Sequence, residues 1–342
     1  MSALISLMNF SINNNLEELE AAQQDEKFLF DGIALRGQST VIFAPPNSGK
    51  TLFLINQLHK AYFNNSLDDL KVFYINADDS RTGLIEKTRL LNDIDVHMLA
   101  PAYNNFEVKK FQSMVRQIIA NNESHQICFI LDTIKKFSDT MDKKMMREFG
   151  ILLSEFVSTG GTLIGLGHTN KNRATNGELI YSGTSDLIED CNCIYMLDVI
   201  NKHSIDELTE EKTLRLYNTK LRGDNLLELN FKYSKKVGST YKDLVNSFAF
   251  ISNEEFQEQE DKRKSSEEYN NFIDAHADAY EYIVSYLTNK RAAEKSELRQ
   301  HLQDNTGYGR DKCSNIISFF EEKLIKYELG GKTKRQKMYS LI

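Results

Sequence analysis

The sequence predicts an α/β protein: a mainly parallel sheet flanked by helices over residues 28–252, with a small separate domain at residues 270–342. Three observations carry this. Short apolar runs recur with helical patterns between them, which suits strands buried on both faces. A Gly-Lys-Thr loop follows the first run directly. The pattern then stops at residues 253–269, "NEEFQEQEDKRKSSEEY", which hold too few apolar side chains to fold alone and read as an acidic linker or an exposed helix.

Residues 1–27 form an arm in which Leu16 and Leu19 offer a narrow apolar stripe. The apolar runs are 40–43, 71–76 (KVFYIN), 126–131 (QICFIL), 162–167 (TLIGLG), 193–198 (CIYMLD) and 213–219 (TLRLYNT). After the linker, "DAYEYIVSYLTNK", "EKSELRQHLQDNTG" and "GRDKCSNIISFFEEKL" predict three helices. Residues 325–329 and 338–341 around Gly330-Gly331 then predict a hairpin, and three helices before a basic-tipped hairpin is the order of a winged helix.

Composition excludes several classes. At 41% apolar and 27% charged the chain is neither disordered nor fibrous. No basic apolar leader or bilayer-length apolar run is present, so a cytoplasmic protein with no membrane partner is expected. Cys128, Cys191, Cys193 and Cys313 form neither a disulfide framework nor paired zinc-ligand sets. The net charge is -7, but residues 270–342 carry 12 Lys+Arg against 10 Asp+Glu, with Lys332, Lys334, Arg335 and Lys337 close together.

The chemistry starts at "APPNSGKT", residues 44–51. A phosphate loop needs a feeding strand, small residues that turn backbone N–H groups inward, a lysine for the terminal phosphates and a hydroxyl for Mg2+. Here Pro46, Asn47, Ser48, Gly49, Lys50, Thr51 and Leu52 are the expected nucleotide contacts, with Thr51 also a metal ligand. Ala44 stands where the pattern G-x-x-x-x-G-K-[ST] has its first glycine, a place that touches no ligand. The second metal ligand is expected at the end of an apolar strand, and "ICFILDT" offers Asp132, whose alternative role is a helix cap. "NADDS" places Asp78 and Asp79 at a strand's carboxyl end, where ligands of open sheets bind.

In this order the parts resemble the RecA-fold ATPases of the hexameric replicative helicase group, in particular the RepA-like helicases of plasmids and phages. The resemblance covers residues 28–251 and implies a RecA-like ATPase domain that uses ATP and Mg2+. In that family the second strand ends in Glu-Asp, the Glu being the catalytic base, and here its place is held by Asp78. An Asp carboxylate falls about an ångström short of a Glu, which can cost roughly a hundredfold in rate. "LIGLGHTNK" resembles the strand that makes His168 a sensor between the terminal phosphate and DNA. The loop after it implies Lys171, Asn172 and Arg173 as DNA contacts, its plainer reading being a surface loop. "NTKLRGD" resembles the element that supplies Lys220 and Arg222 to the next subunit's site, the plainer reading being a solvated strand face. The resemblance therefore implies a homo-oligomer, a hexameric ring, with single-stranded DNA in its channel.

In the small domain, Arg310 and Lys312 open the third helix, and Lys332, Lys334, Arg335 and Lys337 surround the hairpin tip. These suit duplex DNA, although such domains also dock proteins. The expectation is an ATP-hydrolysing replicative DNA helicase. The alternatives are a recombination or repair ATPase that does not unwind, and an ATP-dependent replication initiator or regulator.

Overall fold

The structure, a computed structural model, describes residues 8, 11–17, 20, 27–101, 103–134, 136, 143–182, 191–330 and 336–342. The chain forms two compact units, residues 1–257 and 258–342. In the arm, Ile12–Asn15 forms a 3-10 turn and Leu16 is exposed, while Leu19 lies outside the described residues.

The first unit begins with a small antiparallel pair, β1 (Phe28–Phe30) and β2 (Ala34–Leu35). There follow β3 (Ser39–Ala44), α1 (Lys50–Phe63), β4 (Lys71–Asn76), α2 (Arg81–Asn92), β5 (Val96–Leu99), α3 (Val108–Ala120), β6 (Ile127–Asp132), α4 (Lys143–Ser158) and β7 (Thr162–His168). Three longer antiparallel strands come next: β8 (Cys193–Asp206), β9 (Thr209–Lys220) and β10 (Glu228–Lys236). The unit continues with α5 (Tyr241–Asn246) and β11 (Ala249–Ile251). One nine-stranded sheet results, ordered β11-β10-β9-β8-β3-β7-β6-β4-β5. From β8 to β5 every neighbouring pair is parallel, and from β8 to β11 every pair is antiparallel.

Strand alternation sends side chains to two cores, one on each face. Ile42, Tyr74, Ile130 and Tyr195 join α1 and α2 residues on one side. Val41, Phe43, Phe129 and Met196 join α3 and α4 residues on the other. Each fully buried aromatic ring among them stabilises the fold by about 1.5–3 kcal/mol. β7 carries a glycine where this packing is tightest: a Cβ on Gly167 would lie 2.2 Å from the Phe43 ring. Cys128 and Cys193 fall in the first core and Cys191 in the second; with Cys313, all four cysteines are buried and free.

Helix α6 (Asn253–Ala275) holds residues 253–269 in regular structure, braced by Arg263 with Glu260 and Glu267. The second unit then has α7 (Ala277–Lys290), β12 (Ala293–Glu294), α8 (Lys295–Thr306), α9 (Arg310–Phe320), β13 (Ile325–Gly330) and β14 (Gln336–Leu341). Its strands form a small antiparallel sheet ordered β12-β14-β13, closed over Ile283, Leu298, Ile316, Phe320 and Tyr339. Among the described residues no helix is long and apolar enough to cross a membrane.

Candidate nucleotide site

Register brings the predicted groups together. Ala44 of β3 lies beside His168 of β7, Asp132 of β6 beside Leu166 of β7, and Asn76 of β4 beside Asp132. The carboxyl ends of β3 and β7 are level, those of β4 and β6 are level two residues short of them, and the loops leaving all four surround a cleft of about 520 Å³. Pro46, Asn47, Ser48, Gly49, Lys50, Thr51, Leu52, Asp78, Asp132 and His168 all line it.

The loop between β3 and α1 turns through Asn47 and Gly49, whose φ values are 60° and 95°. Ala44 stays in the strand, fully buried, so the missing first glycine falls where no left-handed backbone is needed. The first N–H groups of α1 have no partner within the helix, and with the helix dipole behind them they suit an anion.

Lys50 is 7% exposed, and its Nζ donates a 2.8 Å hydrogen bond to the Gly167 carbonyl. Burial pushes its amine down to about 8, against the pull of the Asp132 and Asp78 carboxylates. Asp132, only 4% exposed, accepts on Oδ2 both from Thr51 Oγ1 at 3.2 Å and from the Tyr74 hydroxyl at 2.6 Å. Burial and the Asp132 charge raise the Tyr74 phenol well above its ordinary value, so it stays a donor. The Asp132–Thr133 peptide is cis.

Thr51 and Asp132 are hard oxygen donors of the kind Mg2+ takes alongside phosphate oxygens and water. No group of three or more His, Cys, Asp or Glu side chains converges among the described residues; a metal held here would draw on this pair and on phosphate oxygens. The two acids after β4 separate in role. Asp79 turns inward to Lys87 and Asn76, whereas Asp78 faces the cleft, 3.4 Å from Lys136 Nζ.

Other predicted residues lie elsewhere. Lys220, the last residue of β9, pairs with Ile194, and Ile194 pairs with Val41; this is the amino half of β3, away from the cleft. Arg222 follows the strand in an exposed bend, so the two cations do not share one strand face as their alternation predicts. Residues 169–182 fold back on themselves through the Thr169–Tyr181 bridge, leaving Lys171 and Asn172 exposed. Arg173 instead turns inward, gripping Asp198 through a fork at 2.6 and 2.7 Å. Its guanidinium is thereby engaged by protein, while the side chain keeps 44% of its surface exposed.

In the second unit Arg310 and Lys312 are exposed at the start of α9, with Lys312 Nζ 3.4 Å from the Tyr308 ring centroid. Lys337 pairs with Glu321 at 3.6 Å and stands over Tyr327. Lys332, Lys334 and Arg335 lie outside the described residues.

Tyr74, Lys212, Tyr233, Lys235 and Leu244 escaped the sequence reading. Tyr74 holds Asp132, and the other four line the cleft's remaining wall. The alternation Leu229-Phe231-Tyr233 in "ELNFKYSKK" is the period-two signal that marks β10 and with it this wall.

No protein-family model matches the chain, and no curated protein matches it. Among solved structures it is similar to a KaiC-like protein of the hyperthermophilic archaeon Pyrococcus horikoshii OT3. The identity is 12% over 66% of this chain and 94% of that one, with a TM-score of 0.43.

Proposed function

We propose that the protein is a Mg2+-dependent ATPase that acts on DNA as a ring-shaped, hexameric RepA-like replicative helicase. The observation that carries the nucleotide reading is the meeting of Lys50, Thr51, Asp132 and Asp78 around one phosphate loop. Lys50 supplies charge to the terminal phosphates, and Thr51 with Asp132 holds the metal. Mg2+, when bound, neutralises phosphate charge and orients the terminal phosphate. Asp78 accepts a proton from, or orients, the attacking water, and His168 beside Ala44 stands between the phosphate end and the loop 169–182. Lys220 and Arg222 lie outside their own chain's cleft, which is the placement a trans-acting pair requires. Lys171 and Asn172 are the loop's exposed candidates for single-stranded DNA, and Arg310 and Lys312 those of the winged helix for duplex.

A second reading, a nucleotide-dependent initiator or regulator, is favoured by Asp78, which is short for a base and paired with Lys136. ATP turnover with and without single-stranded DNA, the mass of the assembly with Mg2+-ATP, and strand separation on forked DNA test these. The helicase reading expects DNA-stimulated turnover, rings and unwinding, with turnover lost in Lys50→Ala and Arg222→Ala. Rings that hydrolyse ATP without separating strands point to a recombination or repair ATPase, and slow, DNA-independent turnover to the regulator.

A further inference from the structure

The phosphate loop is gripped from outside by the antiparallel half of the sheet. β8 last pairs with β3 at Met196, and residues 197–206 run on past it with β9 and β10 alongside. In this overhanging part Lys212 faces Tyr233 across the β9–β10 ladder, and both bear on the loop. Tyr233 is 5% exposed and stacked on Phe248, and a Cβ added to Gly49 would lie 3.0 Å from its hydroxyl. Lys212 Nζ donates a 3.1 Å hydrogen bond to the Asn47 carbonyl, with Glu210 Oε1 4.0 Å away.

That carbonyl belongs to the Asn47–Ser48 peptide, and Asn47 holds a left-handed backbone, which asparagine tolerates better than most non-glycine residues. A planar peptide fixes both its ends when one is held. The Ser48 N–H at the other end closes the loop on the Pro45 carbonyl at 3.3 Å. Lys212 and Pro45 therefore clamp this peptide unit from opposite sides, fixing the tip of the loop. Lys212 also adds a cation beside a loop that receives an anion, 19% exposed and so only partly screened.

Building on the nucleotide reading above, we infer that Lys212 is a positioning residue that presets the phosphate loop in cis for the ligand's phosphate chain. It acts on phosphates rather than on the nucleoside, because its hydrogen bond is to the loop backbone. The test uses the full chain and its Lys212→Met and Lys212→Arg variants, with a fluorescent nucleoside diphosphate as probe and inorganic pyrophosphate as competitor. Loss of one charged hydrogen bond predicts that Lys212→Met weakens both the probe and pyrophosphate about tenfold, and that Lys212→Arg recovers most of the loss. Wild-type binding matched by Lys212→Met overturns the inference alone. So does a loss confined to the nucleoside probe, or one that Lys212→Arg fails to repair. No binding of either ligand by the wild type overturns the nucleotide reading and this inference with it.

Discussion

The Tyr74 hydroxyl donates a 2.6 Å hydrogen bond to Asp132 Oδ2, the same oxygen that accepts from Thr51. A fully buried phenol on β4 thus orients a buried carboxylate on the adjacent strand β6. Tyr74→Phe keeps the ring and removes the donor. The expected outcome is a stability loss of about 1–3 kcal/mol, measured by denaturant unfolding. A second outcome is an approximately tenfold rise in the Mg2+ concentration needed for half-maximal nucleotide binding. An unchanged Mg2+ titration would show that Tyr74 serves the core alone.

Lys50 gives a pH signature. In the free protein its amine loses its proton near pH 8, where an exposed lysine keeps its own past 10. Nucleotide affinity is expected to fall as pH rises from 7 to 9, with a midpoint near 8; a profile flat to pH 9.5 contradicts the buried-amine assignment. The stability effect has the opposite sign. Between about 8 and 10.5 the folded state binds fewer protons than the unfolded state, so this group's contribution grows with pH and is lost as pH falls through 8.

Asp78→Glu tests the length of the carboxylate directly. The longer side chain brings the acid about an ångström nearer the terminal phosphate, and kcat is expected to rise about tenfold or more with little change in KM. A fall in kcat in steady-state ATPase assays would mean that the loop after β4 is already shaped around the shorter acid.

Arg173 and Asp198 make a forked ion pair with the carboxylate buried at 5% exposure. Arg173→Ala leaves that charge uncompensated. After allowance for the half-exposed guanidinium, about 2 kcal/mol of stability should be lost, readable as a shifted urea midpoint. Asp198→Asn in the same background should return part of it. A DNA-affinity loss in Arg173→Ala with no change in midpoint would reverse the assignment.

Much of the sheet was legible because its central strands are apolar runs and because ligand groups cluster where such strands end. The Gly-Lys-Thr loop points to Lys50 and Thr51, strand ends to Asp78 and Asp132, and the family resemblance to His168; the registers of β3, β7, β6 and β4 and the loops leaving them bring all five to one cleft. The edge strands were harder. "VHML" of β5 is too short to stand out, and β10 alternates with lysines that read as a solvated face. The reach of β8 past residue 198 was hidden as well, because "VINKHSID" looks polar until β9 pairs with it. Arg173 shows the limit from the other side: a cation in a polar loop gives no local sign that a buried acid on β8 is waiting for it.

The Lys212–Asn47 contact joins positions 165 residues apart. The eight-residue phosphate loop is a local motif, but the cleft around it closes only when β9 and β10 have reached the sheet. Contacts so distant in sequence are entropically the slowest to form. During synthesis the loop emerges long before its outer wall exists, so a nascent or truncated chain ending before β9 carries the full phosphate-loop sequence with one side of its cradle missing. On the proposed reading, nucleotide binding is therefore expected late in folding, as a sensitive report that the last strands are in place.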